Sequence, residues 1–487
     1  MSYKLNELAD VLINQISAIV LGGAGDVPAE PNTFLTWCQP GIPFAPSQFD
    51  FAVHGLGSKK EPKENLELLT QAFQFAQLVD FIPDIRAAYT GDKQAARFNP
   101  DAEERLTTIY ELILKVAKVV HRDLSPEEQA KIEKIKGILG KMKKTENELG
   151  ETTEVLEDSP MYKTYKAKAA AYRAAELQYK NKNIQAMSAS GEAGNAAVAD
   201  WALNAGLYLE EVKAAEDDWI ANGSRNQIND AMAVVQGLTE RSMEVWRSQL
   251  LTLFKAAEVN ATGPGTRFRY TTMIPADLEQ GGWTEYKVSH SLVDSKTHSE
   301  ATQWSASAGL NLGFWSFGGN AQGSSSNQTS ALEVDNFNLS FQLCMTVISR
   351  PWFYPEFFSN RGWTLKEGDG WMYDEMPSNG LTPPDTSGKF IGYPTIILWA
   401  RDVKIESAQF ASAYESYASQ FGGGGSVGWG PFTLSGSGAH QESDFHMRTE
   451  TTGQGLEVKG TQIIGFVNHL IGKTPNLLDS IKEDELI

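Results

Sequence analysis

The chain has 487 residues, of which 41% are hydrophobic and 21% are charged, and its formal net charge is −19. A single hydrophobic core rarely organises so long a chain, so we expect two or three domains, and the composition excludes a disordered or fibrous protein. Because the acidic sequence contains no basic stripe, we expect no nucleic-acid partner and no resting electrostatic attraction to anionic lipid.

The N-terminus lacks the pattern of a secretory signal, because Lys4, Glu7 and Asp10 interrupt its apolar residues. No stretch reaches the ~18 apolar residues of a membrane-spanning helix. We therefore expect synthesis in the cytoplasm without a signal peptide, followed by release through lysis or another non-Sec route if the protein acts on a membrane outside. The two cysteines, Cys38 and Cys344, are too few for a disulfide framework and are expected to be buried thiols.

Residues 1–99 are predicted to be a helical and irregular region. Apolar residues spaced by three and four from Leu5 to Ile19 predict an amphipathic helix, which Gly22 and Gly23 end. Five prolines between residues 26 and 57 argue against long regular elements there. A second helix is predicted over residues 64–81.

Residues 100–260 are predicted to form a long-helix bundle. Ser125-Pro126 and Ser159-Pro160 are typical helix starts, with serine at the N-cap and proline at the first helical position. Apolar stripes over residues 106–120 and 201–219 are expected to pack against each other, and the acidic stretch 151–158 is expected to break the helices. Such an arm is typical of a spacer, and alternatively of a partner-binding or oligomerising surface.

Period-two alternation dominates residues 266–474, which predicts an antiparallel β-domain. An aromatic-rich insertion at 351–384 interrupts this region, and residues 475–487 are expected to be a polar tail. The predicted fold class is α+β, an N-terminal elongated helical bundle followed by a Gly/Ser/aromatic-rich antiparallel β-domain. The predicted strands cover residues 267–273, 283–292, 303–314, 336–347, 395–405, 426–434, 445–451 and 456–467.

Two of these strands alternate strictly between apolar and polar residues, on either side of the Gly/Ser/Asn/Gln-rich stretch 316–330. The pattern fits an ordinary hairpin of a β-sandwich, with one face on a core and the other in water. It also fits a membrane-inserting hairpin, since each arm has about the 9–11 residues that cross a bilayer as a tilted strand. The apolar face of such a hairpin would comprise Trp304, Leu310, Leu312, Phe314, Trp315, Phe317, Phe337, Leu339, Phe341 and Leu343.

A weak internal echo points to a second hairpin. The segment from Gly313 to Phe317 is similar to that from Gly428 to Phe432, and each is followed by a polar loop and an alternating strand. The residues of this possible second hairpin are Trp429, Phe432 and Phe445. Aromatic residues of the 351–384 insertion could lie at a membrane interface or in a sugar-binding site, or could form a small satellite core; they are Trp352, Phe353, Tyr354, Trp363 and Trp371.

No motif for catalysis, a cofactor or a metal is found. The pattern around Ser426 matches a hydrolase nucleophile elbow, but Gly430-Pro431 follows it where that motif needs a helix. The scattered histidines have no zinc spacing. We therefore expect neither an enzyme nor a cofactor.

The favoured interpretation is a non-enzymatic, membrane-active protein that forms homo-oligomers and inserts amphipathic β-hairpins, with membrane lipid as a partner. In kind the pattern is similar to pore-forming proteins that store such hairpins on a soluble body, although the signature of the perforin-like group is absent. The alternatives are a structural protein of a larger particle and a lectin-like binding module.

Overall fold

The computed structural model of the chain has an α+β fold. It describes residues 3–21, 32–56, 62–83, 95–97, 104–121, 125–146, 152–187, 191–231, 243–260, 267–278, 282–289, 312–318, 332–365, 370–381, 385–419, 425–436 and 447–487.

The α-helices are numbered in chain order: α1 (Leu5–Leu21), α2 (Asp50–His54), α3 (Pro62–Val79), α4 (Leu106–Val116), α5 (Pro126–Leu139), α6 (Pro160–Met187), α7 (Gly191–Ala221), α8 (Met243–Ala256), α9 (Glu356–Ser359) and α10 (Ala408–Ser419).

The strands are β1 (Tyr3–Lys4), β2 (Thr33–Phe44), β3 (Ala95–Arg97), β4 (Lys118–Val119), β5 (Gly140–Glu146), β6 (Thr152–Asp158), β7 (Glu258–Asn260), β8 (Arg267–Arg269), β9 (Thr272–Ile274), β10 (Thr284–Ser289), β11 (Phe314–Gly318), β12 (Glu333–Val334), β13 (Asn338–Ser349), β14 (Trp363–Thr364), β15 (Gly392–Glu406), β16 (Gly425–Trp429), β17 (Phe432–Ser435), β18 (Arg448–Thr452) and β19 (Gly455–Leu470).

The largest sheet, which we call the main sheet, has the strand order β10-β13-β15-β19-β2-β3. Two short strands add to it, since β9 pairs with the end of β13 and β18 with the start of β19. Every pairing is antiparallel except that of β2 with β3. The long strands predicted over 336–347, 395–405 and 456–467 are confirmed as β13, β15 and β19.

The strand β2 corrects the prediction that prolines keep residues 26–57 irregular. Its twelve residues pair with β19 on both sides of a register shift that faces Ile463 and Gly465. Pro40 lies in the part of β2 that this irregularity leaves unpaired, where a missing N–H costs no ladder hydrogen bond. The N-terminal region therefore contributes to the main sheet, and the predicted order of helices first and strands second is not confirmed.

Successive side chains of β13 enter different cores. Leu339, Phe341 and Leu343 lie in the first core, with α1 and α10, whereas Cys344 and Ile348 lie in the third core, with α2 and α3. Since alternate residues of a strand point to opposite faces, helices or strands cover both faces of this part of the sheet. The expectation of one apolar and one wet face is therefore wrong for the second arm.

The helical region also differs from the predicted bundle. The aromatic stripe of α7 packs on α6, with Trp219 5.3 Å from Tyr165 and Trp201 5.2 Å from Tyr179 between ring centroids. The stripe of α4 instead lies in the second core with α8 and the aromatic insertion. The two stripes therefore belong to different packing units, and the prediction that they pack on each other is wrong.

The stretch 140–158 is a hairpin of β5 and β6, where the prediction had a helix continuing to residue 142 and then a break. Lys141 is opposite Glu157 and Lys144 is opposite Glu154. Cross-strand pairs of opposite charge favour such a hairpin. This alternation of charge is the signal in the sequence that could have revealed it.

The tail at 475–487 ends in backbone hydrogen bonds to β4. The Val119 N–H donates to the Ile487 carbonyl and the Ile487 N–H to the Val119 carbonyl, both at 3.0 Å. Because β4 also pairs with β14, the end of the chain joins the second core region to the aromatic insertion.

Both native thiols are expected to be unreactive in the folded protein. Cys38 and Cys344 are 0% and 2% exposed, and burial raises the pKa of Cys38 above its usual range and that of Cys344 to about 12. The thiolate is the reactive form, so a thiol-specific chromogenic reagent at pH 8 should label neither cysteine in buffer and both in denaturant. Rapid labelling of either cysteine in buffer would contradict this packing.

Candidate functional site

Two long connections leave the main sheet at one end. Residues 290–337, the first insertion, join β10 to β13, and residues 407–454, the second insertion, join β15 to β19. Ser289 is opposite Asn338, which is also opposite Glu406, and Ile405 is opposite Leu456. The four strand ends are therefore neighbours, and both insertions begin and end on adjacent antiparallel strands.

The insertions are matched in length and unusual in composition. Each has 48 residues and only five charged residues, about half the frequency in the whole chain, of which 21% is charged. Glycine, serine and aromatic residues dominate both. Half of such an insertion, as a β-strand, would be about 80 Å long, well beyond the ~30 Å hydrocarbon core of a bilayer.

The described parts of the insertions meet in a three-stranded sheet of β11, β16 and β17, which we call the tip sheet. Phe314 is opposite Trp429 and Trp315 is opposite Gly428. The two segments of the internal echo are thus neighbouring strands. They come from different insertions and do not form the two separate hairpins that the sequence predicted.

A glycine permits this close approach. A Cβ at Gly428 would overlap the ring of Trp315 and the carbonyl oxygen of Phe432. The Trp315 Nε1–H donates to the Gly430 carbonyl at 2.9 Å, and the Gln39 amide from β2 donates to the same oxygen at 2.8 Å. The tip sheet is therefore fixed to itself and to the main sheet by polar contacts as well as by packing.

Aromatic rings from both insertions fill the first core. Phe314 lies 5.1 Å from Phe410 and stacks on Tyr417 at 5.6 Å, and Phe410 lies 5.3 Å from Trp429. Phe410 and Tyr417 lie on α10, and sequence reasoning did not single them out. Their spacing by three and four, Phe410, Tyr414 and Tyr417, was the available signal for a helix with an apolar face.

The register of the tip sheet continues that of the main sheet. Moving 24 residues outward from the pair Ile405 and Leu456 arrives at Trp429 and Phe432, which are paired in the β16–β17 hairpin. The turn between them, Gly430-Pro431, is the midpoint of the second insertion. The strands β15 and β19 could therefore be extended through the whole insertion without changing the residues paired at its tip.

The pairing between the insertions shows nearly the same continuity. Moving 24 residues outward from the pair Ser340 and Lys404 arrives at 316 and 428, whereas the observed partner of Gly428 is Trp315. A single β-bulge absorbs a difference of one residue. The midpoint of the first insertion lies between Gly313 and Phe314, so the echo segments occupy the midpoints of both insertions.

The predicted membrane-inserting hairpin is corrected in its pairing. Its second arm, β13, is hydrogen-bonded to β10 on one edge and to β15 on the other, so its two arms are not partners. Phe337, Leu339, Phe341 and Leu343 are buried in the first core. In the first arm Leu312, Phe314 and Trp315 are buried and Phe317 belongs to β11, whereas Trp304 and Leu310 lie outside the described residues.

The possible second hairpin is present in another form. Trp429 and Phe432 are buried and face each other across the Gly430-Pro431 turn. Phe445 lies outside the described residues, and the strand that follows it, β18, pairs with β19. The hairpin thus closes within 425–435, without the long loop that the sequence analysis placed inside it.

The aromatic residues of the 351–384 insertion lie in the second core and form no exposed belt. Trp352, Phe353, Trp363 and Trp371 are at most 9% exposed, and Tyr354 is half-buried. Tyr110 of α4 is the centre of their packing, 5.1 Å from Phe353. In this conformation they cannot contact a membrane, and the packing matches the satellite core that was the alternative.

A polar cavity of about 270 Å³ lies between α3, α4 and α8 and is lined by both acids and arginines. Burial raises the pKa of Asp80 above its usual range, although the Thr107 N–H and hydroxyl donate to its carboxylate at 2.8 and 2.6 Å. Burial lowers the pKa of Arg350 to about 10. Acidic and basic groups alternate around this cavity, so it has no single charge with which to select a ligand.

Within the described part of the chain, no cluster of histidine, cysteine, aspartate and glutamate is suited to hold a metal ion. Ser426 is buried within β16 and no helix follows it, so the elbow geometry is absent there. Among the described helices, none is both long and apolar enough to cross a membrane. Comparison with protein-family models, with curated proteins and with solved structures finds no match to this chain.

Proposed function

We propose that this chain is a non-enzymatic, membrane-active protein that oligomerises and inserts two β-hairpins per copy into a lipid bilayer. The hairpins are residues 290–337, which extend β10 and β13, and residues 407–454, which extend β15 and β19. The observation that carries the proposal is the shared register: the turn at Gly430-Pro431 already pairs Trp429 with Phe432 as an extended β15–β19 hairpin would.

Register continuity matters because a strand that crosses lipid must have all its backbone groups paired. A segment that lengthens an existing antiparallel pair gains those hydrogen bonds one after another, with no search for a new partner. The low charge of both insertions supports the same transition, since a charged side chain on the lipid face costs about 2–4 kcal/mol at the bilayer midplane.

Oligomerisation follows from the number of strands. One copy supplies four strands, whereas the smallest membrane barrels have eight, so several copies must combine to close an edge-free barrel. The α6–α7 hairpin supports this step, because Leu203 and Leu207 on its outer side are 81% and 57% exposed. We infer that this arm contributes to the contact between neighbouring copies.

The structure changes which residues are proposed to face lipid. Leu339, Phe341 and Leu343 belong to the main sheet and remain in the soluble body. Trp304, Leu310 and Leu312 of the first insertion are the proposed lipid-facing residues, with Ser307 and Asn311 toward a polar lumen. Phe314, Trp315, Trp429 and Phe432 lie beside the midpoints of the insertions, where a hairpin tip meets the far interface, a position that aromatic side chains favour.

The test is dye release from liposomes together with an environment-sensitive fluorophore on single introduced cysteines. Substitution at Leu310 or Leu312 should give a several-fold rise in emission when liposomes are added, and substitution at Gly309 or Asn311 should not, because alternate residues of an inserted strand face lipid and lumen. The native cysteines need no replacement if they are unreactive as expected.

The matched control is a fluorophore at Ala171, an exposed position on α6 that stays outside the membrane. Emission that rises equally at all four positions, or at none of them while dye escapes, would exclude an inserted strand. Absence of dye release, with large lipid-independent particles on sizing, would favour the alternative of a self-assembling structural protein.

A further inference from the structure

The first described residues, 3–21, form a segment that covers both insertions, and we call it the strap. It consists of β1 and α1, and the connection that follows leads to β2 of the main sheet. Seven of its apolar side chains are buried in the first core together with rings of both insertions: Leu5, Leu8, Ala9, Val11, Leu12, Ile13 and Ile16.

The strap pairs directly with the first insertion. Tyr3 and Lys4 form an antiparallel pair with Val334 and Glu333, and the Leu5 N–H donates to the Leu332 carbonyl at 3.0 Å. These partners lie a few residues before β13. An extended β10–β13 hairpin would need the backbone groups that the strap now occupies.

The strap also contacts the tip of the second insertion. The Trp429 Nε1–H donates to the Leu5 carbonyl at 3.3 Å. The Cβ of Ala9 lies 3.7 Å from the position that a Cβ on Gly430 would take, so α1 passes over the Gly430-Pro431 turn. Neither insertion can straighten while the strap stays in place.

The strap interface contains features of a contact that can open. The side chain of Gln15 is 5% exposed and its Oε1 accepts from the Tyr286 hydroxyl at 3.1 Å, yet its buried Nε2 has no partner among the residues that the structure describes. The same holds for Oδ1 of Asn6. A buried polar group without a partner weakens the packing around it, so the strap is bound less tightly than its apolar residues alone would make it.

We propose that the strap is an autoinhibitory element, which holds both insertions against the soluble body and must leave before they extend. This inference rests on the proposed function and adds the step that controls it. Release of one helix frees the first insertion at residues 332–334 and the second at Trp429 and Gly430, so a single event couples the two hairpins.

A reversible lock tests the proposal. The 3.7 Å separation matches the Cβ–Cβ distance of a disulfide, so Ala9→Cys with Gly430→Cys should cross-link the strap to the second insertion. We expect the oxidised double variant to release dye at least tenfold more slowly than the wild type, and the reductant to restore the rate.

The single variants Ala9→Cys and Gly430→Cys are the controls, the second because Gly430 has a φ of 54°, where other residues are strained. Dye release by the oxidised lock at the wild-type rate would overturn the strap and leave the proposed function intact. Dye release that stays slow after reduction, beyond the effect of the single variants, would also overturn it.

A second measurement needs no membrane, so the failure of the proposed function can be told apart from the failure of the strap. A specific protease site is introduced between residues 22 and 31 and cut after folding. We expect the strap fragment to separate, and amide exchange in β11, β16 and β17 to rise at least tenfold while β13 and β15 stay protected. A fragment that remains bound, or one that leaves without this rise, overturns the proposal.

Discussion

Phe341→Arg is expected to unfold the main sheet in solution, before any membrane is present. Phe341 is 1% exposed, with its ring 5.2 Å from Tyr286 and 5.1 Å from Phe432. Removing the ring alone costs about 3–5 kcal/mol, and the arginine adds an unpaired buried charge. The sum approaches the whole stability of a typical domain, about 5–15 kcal/mol, so we expect loss of cooperative unfolding in urea and of the near-UV spectrum.

The matched control is Asn338→Arg, at the exposed end of the same strand and opposite Glu406. It should change the free energy of unfolding by no more than about 0.5 kcal/mol. A Phe341→Arg variant with normal stability and a selective loss of dye release would contradict the structure, because it would place this ring in lipid as the sequence alone suggested.

Ile113→Asp is expected to cost at least about 4 kcal/mol of unfolding free energy, since it opens a cavity and buries a carboxylate without a partner. Ile113 is 0% exposed in the second core, with Tyr110 and Phe254. Thr108→Asp, at an exposed position of the same helix, should have little effect. Urea denaturation of the three proteins measures both differences.

Val212→Asp on α7 separates the predicted bundle from the observed one. Val212 is 9% exposed and belongs to the α6–α7 hairpin, whereas Ile113 belongs to the second core. Residues without shared partners have additive effects, within about 0.5 kcal/mol. We therefore expect no coupling between Ile113→Asp and Val212→Asp. A coupling above about 1 kcal/mol would restore the packing of the two stripes on each other.

The candidate site was half accessible from the sequence. The Gly-aromatic echo located the midpoints of both insertions, because a glycine next to large rings has a local signature. The contact between Trp315 and Gly428 was not accessible, since these residues are far apart along the chain and their pairing depends on a strand register. The strap was predicted only as an amphipathic helix, because periodicity reveals that one face is buried and not what covers it.

The sequence by itself determined the local elements whose signals are local. Alternation over 336–347 predicted β13, and N-cap serines with proline at the first helical position predicted α5 and α6. Only the tertiary structure decided the partners. Strand β13 pairs with β10 and β15, and Leu339, Phe341 and Leu343 therefore lie in a soluble core, because strand pairing joins distant residues whose identity no periodicity encodes. The same reason hid β2, where one bulge accommodates a proline that local rules would exclude from a strand.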